Sequence, residues 1–288
     1  MKRYKKEYPD KMEIGQVFYN KRFVLTVDRN LCKGCVLCKL ICPRGAITVR
    51  SSSKKLGSGT LAPFIDIDEN RCDFHGICAV VCPFSAIKIF IDGNDELPAV
   101  SKNVFPVLTR DIDIDSSKCK PSCKKCDEKC PLGIISVTES EEPSETVVDV
   151  IKELCAGCQV CWDECPTDAL KVTKFIEGSI RINQELCPDD CRCCLDVCPV
   201  NALYIDDAQK IATKDNNCIY CGACQNVCPK PEALEIERTS VRHSPIESGA
   251  WNKGLEKITS TAALNKELAT SRIAKARAAA AAQIRNDE

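Results

Sequence analysis

The sequence predicts an α+β fold built from three small, similar domains in tandem, followed by a C-terminal helix. Three observations predict this fold. The chain of 288 residues repeats one short unit six times, and each repeat carries a cysteine run that ends in Cys-Pro. Short segments with apolar residues at every second position, typical of β-strands, flank these runs. Aromatic residues make up only 5% of the chain, so bound metal is expected to hold the fold together where a large apolar core cannot.

The six cysteine runs follow one spacing with small variations. They begin at Cys32, Cys72, Cys119, Cys155, Cys187 and Cys218. The first, fourth and sixth runs read C-x-x-C-x-x-C-x-x-x-C-P, and the third and fifth contain one additional residue between their first two cysteines. In the second run His75 stands at the position of the second cysteine. Each unit is therefore predicted to contain a strand, a cysteine-bearing loop, a short helical turn and a second strand.

The chemistry of these runs indicates iron–sulfur clusters. Thiolates are soft ligands that suit iron–sulfur clusters, zinc and Cu(I). Structural zinc sites usually use two cysteine pairs that are far apart in sequence. Three closely spaced cysteines followed by Cys-Pro resemble the run of bacterial-type ferredoxins, in which the fourth cysteine binds the other cluster of a pair. The alternative is a structural or nucleic-acid-associated protein that binds zinc through its Cys-rich modules.

Sequential pairing of the runs is the simplest arrangement, although one unit could instead be inserted inside another. It predicts six 4Fe–4S clusters, each with three ligands from one run and the fourth from its companion run. The predicted ligand sets are Cys32, Cys35, Cys38 and Cys82 for site I; Cys72, His75, Cys78 and Cys42 for site II; Cys119, Cys123, Cys126 and Cys165 for site III; Cys155, Cys158, Cys161 and Cys130 for site IV; Cys187, Cys191, Cys194 and Cys228 for site V; and Cys218, Cys221, Cys224 and Cys198 for site VI.

Two residues depart from the common spacing. The chain has 24 cysteines, but Cys193 does not fit the fifth run, so one of the 24 ligand positions is left to His75. As a ligand, His75 would make its cluster less negative and easier to reduce, as histidine does in Rieske centres. Otherwise site II would hold a three-iron cluster, or a fourth iron open to solvent or another donor. Cys193 is expected to be a small buried hydrophobic residue, with a register exchange with Cys194 as the alternative.

The longest interval between runs lies between the second and the third, and it indicates a domain boundary there. The predicted domains are 1–108, 109–176 and 177–240, followed by a helical tail at 241–288. Residues 89–110 predict a hairpin extension of the first domain with a turn at Gly93-Asn94. Residues 259–288 are rich in Ala and predict a helix that begins near Ser260 or Thr261. A weak apolar stripe on this helix suggests docking on a partner subunit, or else a solvated end.

The composition also restricts the function. With 40 basic and 41 acidic residues, the chain gives no reason to expect nucleic acid or an anionic membrane as a partner. We expect no signal peptide and no membrane insertion, and a cytoplasmic location where thiols stay reduced. The sequence contains no dinucleotide fingerprint, P-loop or H-E-x-x-H motif. An electron-transfer role without a catalytic site of its own is therefore expected.

The six runs, with "RCDFHGICAVVCPFSAI" and the long spacer after it, resemble the polyferredoxins of methanogenic archaea over about residues 20–237. Among these, the chain is most similar to the polyferredoxin subunit of formylmethanofuran dehydrogenase. This resemblance implies a relay of low-potential electrons to the tungsten or molybdenum subunit that reduces carbon dioxide to a formyl group. It also implies contact with a heterodisulfide reductase or a hydrogenase. A polyferredoxin of an energy-converting hydrogenase is the alternative within the same resemblance.

Overall fold

A computed structural model describes residues 2–57, 59–139 and 146–260 of the chain. It contains three units, and each unit holds two cysteine runs, two short helices between ligand positions and two antiparallel strand pairs. In every unit the strand before the first run pairs with the strand after the second run. The two strands between the runs form the other pair. The runs are therefore combined in sequential order, and the predicted α+β class is confirmed.

The first unit has an enlarged sheet. Its elements are β1 (Lys2–Glu7), β2 (Lys11–Val17), β3 (Arg22–Asp28), α1 (Leu37–Ile41), β4 (Ile47–Lys55), β5 (Leu61–Ile67), α2 (Ile77–Val80), β6 (Ile87–Ile91), β7 (Asn94–Asp95) and α3 (Pro98–Ser101). The sheet order is β1-β2-β3-β6-β7, and β4 pairs separately with β5. The strands β1 and β2 were not predicted. Alternate residues of β2, Met12 and Ile14, are fully buried against Leu25 and Val27 of β3.

Within the predicted hairpin extension at 89–110, β6 and β7 form a hairpin that ends at Asp95, and its turn lies one residue earlier than predicted. Ile91 pairs with Asn94, so Asp92 and Gly93 are the central residues of the turn. Both have positive φ, 51° and 89° respectively. A two-residue turn of this kind requires positive φ at both central positions, which Asp-Gly accommodates well. The prediction of Gly93-Asn94 is therefore wrong by one position, and Asn94 instead begins the short strand β7.

The second and third units are smaller and have the same order of elements. The second contains β8 (Ile112–Ile114), α4 (Lys125–Lys129), β9 (Ile135–Glu139), β10 (Thr146–Val150), α5 (Val160–Asp163) and β11 (Leu170–Val172). The third contains β12 (Ile176–Ile182), α6 (Cys193–Val197), β13 (Leu203–Ile205), β14 (Ile211–Thr213), α7 (Ala223–Val227) and β15 (Leu234–Val241). The helix α8 (Gly249–Thr259) follows.

The three units pack against one another around a shared apolar core and are not isolated domains. Side chains from all of them are buried together, including Ile41, Phe84, Ala156, Phe175 and Ile236. Two smaller cores lie within the first and the second unit. Burial of apolar surface between units stabilises their relative positions, because each buried aliphatic or aromatic side chain contributes on the order of 1.5–3 kcal/mol.

Residues that follow β15 return to the first unit. Ser248 caps α8 by accepting a hydrogen bond from the Trp251 amide at 3.2 Å, and its hydroxyl donates to the Val104 carbonyl. Trp251 is almost fully buried and packs edge-on against Phe105, with ring centroids 5.3 Å apart. Gly254 allows close contact with α1, since a Cβ atom there would lie 3.1 Å from Ile41.

The predicted tail thus has two parts. Its first part forms α8, which the sequence did not reveal and which packs against the chain's own first unit. Ser260, expected near the start of a helix, is the C-cap of α8. Of the helix predicted at 259–288, all but the first two residues lie outside the described residues, as does its apolar stripe, so partner docking by that segment remains a prediction.

Replacing Trp251 by Ala should release α8 from the first unit. Truncation of a buried tryptophan typically costs about 3–5 kcal/mol, because it leaves a cavity as well as losing buried apolar area. Hydrogen exchange of the α8 amides, measured on the intact chain, should become faster by orders of magnitude. The matched control is Tyr19→Ala at the fully exposed turn between β2 and β3, where no change is expected. Equal exchange in the two variants would show that Trp251 does not hold α8.

Candidate metal-cluster sites

The six cysteine loops share one unusual backbone conformation. In each, the residue before the second ligand position has a left-handed φ, between 51° and 72°. These residues are Gly34, Phe74, Ser122, Gly157, Asp190 and Tyr220. This conformation costs roughly 1–2 kcal/mol for residues other than glycine, so something else must compensate for it in the four loops that have another residue at this position. Phe74 adopts it directly before His75, and the second loop therefore has the same form as the others.

The structure brings together the side chains of every predicted ligand set. In site IV, for example, burial and the neighbouring thiols of Cys158, Cys155 and Cys130 raise the pKa of Cys161 to about 12. In site III, burial and then the thiols of Cys165 and Cys123 raise the pKa of Cys119. The predicted ligands of sites II to VI each line a cavity. In site I, burial and then the thiols of Cys35 and Cys82 raise the pKa of Cys38 well above its ordinary value.

The fourth cysteine of a run is directed away from its own loop by a recurring turn. Backbone amides of Ala46, Ala86, Ala169 and Ala202 donate to the sulfur four residues earlier at 3.3–3.4 Å. The residue before each of these alanines has positive φ. This explains the recurring "RGAI", "FSAI", "TDAL" and "VNAL" segments after Cys-Pro. Hydrogen bonds to ligand sulfurs are one of the factors that set cluster potentials.

His75 occupies the place of a cysteine sulfur in the second loop. The Ile77 amide donates to Nδ1 of His75 at 3.4 Å. The second-position cysteines of the first, fourth and sixth runs accept from the amide two residues later in the same way. His75 also lines the site II cavity together with Cys42, Cys72 and Cys78. Burial lowers the pKa of His75 and Asp73 raises it, and the net lowering favours the neutral imidazole that a metal requires.

Cys193 lies at site V and is not a buried core residue. It is half-buried, begins α6 and lines the same cavity as Cys187, Cys191 and Cys194. Burial raises the pKa of Cys191, and the side-chain contact with Cys193 raises it further. The prediction of a buried hydrophobic position is thus wrong, because Cys193 is only half-buried and lines the site V cavity. Site V therefore contains five thiols, one more than sites I, III, IV and VI and two more than site II.

All 24 cysteines are free thiols. In the part of the chain that the structure describes, no three Cys, His, Asp or Glu side chains converge on one point where a single metal ion could sit. The thiols of sites II to VI instead stand around a cavity, so they can reach the different irons of a cluster. Four soft donors around such a cavity fit a 4Fe–4S cluster. Such a cluster gains and loses single electrons when bound.

A family model described as a 4Fe-4S dicluster domain matches residues 31–86, 112–169 and 186–231. The chain belongs to this family. Its three dicluster domains provide for six 4Fe–4S clusters, and zinc is therefore not the metal of these runs. The chain is an iron–sulfur electron-transfer protein of the polyferredoxin type. None of the described helices is long and apolar enough to cross a membrane.

Relatives of this dicluster protein agree with the assignment. A ferredoxin of Methanothermococcus thermolithotrophicus is 37% identical over 62 residues, which cover 21% of this chain and 95% of the ferredoxin. The polyferredoxin protein MvhB of Methanothermobacter marburgensis is 30% identical over 107 residues, 35% of this chain and 25% of MvhB. A chain of the formate dehydrogenase–heterodisulfide reductase–formylmethanofuran dehydrogenase complex of Methanospirillum hungatei matches with a TM-score of 0.78 and 30% identity. That match covers 90% of this chain and 91% of the other.

Sites I, IV and VI, which we call the inner sites, lie where the three dicluster units meet. The Arg110 guanidinium donates to the Cys82 carbonyl at 2.9 Å and to the Cys155 carbonyl at 2.6 Å, and so connects sites I and IV. The Asn217 side chain, which lies close to site VI, donates to the Cys158 carbonyl of site IV at 3.3 Å. Burial raises the pKa of Cys35 well above its ordinary value, and the Cys221 thiol is the next largest cause. Because this effect requires the two thiols to be close, sites I and VI lie side by side.

Sites II, III and V are the outer sites. Sites III and V have three and four half-buried cysteines respectively, and site II has two. Sequence reasoning grouped the side chains that the structure brings together at each site but did not reveal this arrangement of the sites, because contacts between units leave no periodic signal in the chain. The ligand assignments themselves remain predictions.

Two substitutions of His75 test its assignment. His75→Cys should retain about 24 irons, six sites times four. It should also lower the reduction potential of one cluster, since thiolate adds a negative charge. His75→Ala should give about 23 irons and the EPR signal of an oxidised three-iron cluster. His243→Gln, at the only other histidine, is the control and should leave the potentials unchanged. An unaltered redox profile in His75→Cys would show that His75 is not a ligand.

The neighbouring cysteines of the fifth run can be separated in the same way. Cys194→Ala should lose iron from site V, because the thiol at the regular spacing is removed. Cys193→Ala should retain full iron, since all four thiols at the regular ligand positions of site V remain. Iron and sulfide analysis of the anaerobically purified variants decides the outcome. The reverse result would establish the register exchange, with Cys193 as the ligand.

Proposed function

We propose that this dicluster protein is the polyferredoxin subunit of a cytoplasmic formylmethanofuran dehydrogenase complex. In this role it passes low-potential electrons to the tungsten or molybdenum subunit that reduces carbon dioxide to a formyl group. Substrate chemistry takes place on that subunit, and the present chain supplies the electron path. Heterodisulfide reductase or a hydrogenase is the expected neighbour on the electron-donating side.

The match to the chain of the Methanospirillum hungatei complex supports this proposal most directly. It extends over 90% of this chain and 91% of the other at 30% identity, so it includes the arrangement of the three units and not merely one dicluster domain. The relation to MvhB supports the broader class of polyferredoxins, although it covers only 25% of that protein.

The positions of the sites suit a relay between partners. Thiols of the inner sites are mostly buried, which protects them from solvent, whereas sites III and V have half-buried thiols that a docked subunit can cover. Within each unit the third-position cysteines of the two runs face each other. Burial and several thiols raise the pKa of Cys161, and Cys126 of the companion site is among them. Burial and several thiols likewise raise the pKa of Cys224, and Cys194 of the companion site is among these thiols. Electrons can therefore pass from an outer to an inner site within every unit.

The test is anaerobic purification of the full-length chain with an affinity tag from cells that produce it. We expect a tungsten- or molybdenum-containing subunit to co-purify and the preparation to oxidise formylmethanofuran with reduction of the iron–sulfur clusters. Untagged cells provide the control for adventitious binding. EPR of the clusters, recorded before and after addition of formylmethanofuran, shows whether the electrons reach this chain.

Other outcomes separate the alternatives. Co-purification of hydrogenase subunits, with cluster reduction by hydrogen and no tungsten or molybdenum, would favour the polyferredoxin of an energy-converting hydrogenase. A chain that is isolated without partners and whose clusters do not respond to formylmethanofuran would contradict the proposal.

A further inference from the structure

One buried cation lies between two of the inner sites. Arg238 is in β15, where buried and exposed residues alternate, and it takes an inward position that an apolar side chain would normally occupy. Its exposed fraction is only 7%. Its Nε donates to the Tyr220 carbonyl at 2.7 Å, and its Nη2 donates to the Cys221 carbonyl at 3.3 Å. Both acceptors belong to the loop of site VI.

The guanidinium of Arg238 also faces site I. Nη2 would lie 2.9 Å from a Cβ atom placed at Gly222, and the same Cβ position is 3.2 Å from Val36 in the site I loop. Burial lowers the pKa of Arg238, and the thiols of Cys221 and Cys35 raise it, in that order of effect. Arg238 is therefore close to both loops and lies at the contact between the first and third units.

Arg238 has no carboxylate partner among the ion pairs of the described residues. A buried charge is costly unless it is paired and hydrogen-bonded, and carbonyl groups alone do not neutralise it. An arginine cannot avoid this cost by losing its proton. The negative charge it requires is present once sites I and VI hold thiolate-ligated clusters, because each such cluster is anionic and becomes more so on reduction.

We propose that Arg238 is a positioning residue that raises the reduction potentials of sites I and VI and so makes this pair the point of electron exchange between the first and third units. A fixed positive charge stabilises the reduced cluster more than the oxidised one, and low polarity around it strengthens the effect. Electrons thus have a direct route between the ends of the chain that bypasses the second unit. The proposal depends on electron transfer by the six clusters and not on the identity of the complex.

Lys174 places a second cation beside site VI. It is 7% exposed, its Nζ donates to the Asp215 carbonyl at 3.0 Å, and it lies over the Tyr220 ring, 4.9 Å from the ring centroid. Tyr220 and its carbonyl consequently lie between Lys174 and Arg238. Both cations flank site VI, whereas of these two only Arg238 is adjacent to site I.

The test is an EPR-monitored potentiometric titration of the purified full-length chain, which needs no partner. With Arg238→Met, two of the reduction steps should move to lower potential. At the wild-type midpoint their reduced-to-oxidised ratio should fall at least tenfold, which corresponds to about 59 mV for a one-electron couple. Arg238→Lys, which retains the charge, should stay near the wild type. Arg238→Gln, which retains a donor without the charge, should behave like Arg238→Met.

Arg181→Met is the matched control. Arg181 lies on β12, the partner strand of β15, but it is exposed and pairs with Glu235 at 3.2 Å. Its removal should leave all reduction steps in place. Unchanged titration curves in Arg238→Met with full iron content would overturn the proposal, as would an equal shift in Arg238→Lys. If Arg238→Met loses iron, the comparison of Arg238→Gln with Arg238→Lys decides by the same criterion.

Discussion

The exchange of the fourth cysteine between companion runs is the constraint on which the rest of the structure depends. Each site collects three ligand positions from one run and one from the other, so neither run of a unit can complete a site alone. The strands must therefore close each unit from its two ends, as the pairing of β3 with β6 and of β12 with β15 shows. Helices of four or five residues are sufficient between the ligand positions. The left-handed residues in the loops are tolerated because the sites fix them.

The inner sites show how buried polar groups are used where units meet. Arg110 and Asn217 donate to carbonyls of cysteine residues from different units, so the hydrogen bonds that join units also end at the cluster loops. Movement of one unit relative to another would leave these carbonyls without donors, which is unfavourable in a buried setting. Rigid placement of the units and close approach of their sites are therefore consequences of the same contacts.

Much of this arrangement could be predicted from local sequence patterns. The spacing of the runs identified every ligand set that the structure brings together, and the alternation around them identified most strands. The recurring alanine after Cys-Pro was visible as a pattern, but its role as an amide donor to sulfur required coordinates. The short strand β1 and the helix α8 carry weak local signals, because their stability comes from packing against distant residues. For the same reason the segment "EIERTSV" does not by itself show that Arg238 is buried. Its inward position becomes evident only from the burial pattern of β15.

The return of α8 to the first unit also has a consequence for biosynthesis. Ile41 and Phe105 belong to the first unit and the segment that follows it, yet the residues that cover them, around Gly254, leave the ribosome only after the second and third units. The first unit can close its two loops while this apolar surface is still open to water. The inner contact to the third unit forms only after that unit has been synthesised. Metal loading of the first two clusters can thus precede assembly of the central core. A nascent chain released early would expose an apolar surface that promotes aggregation.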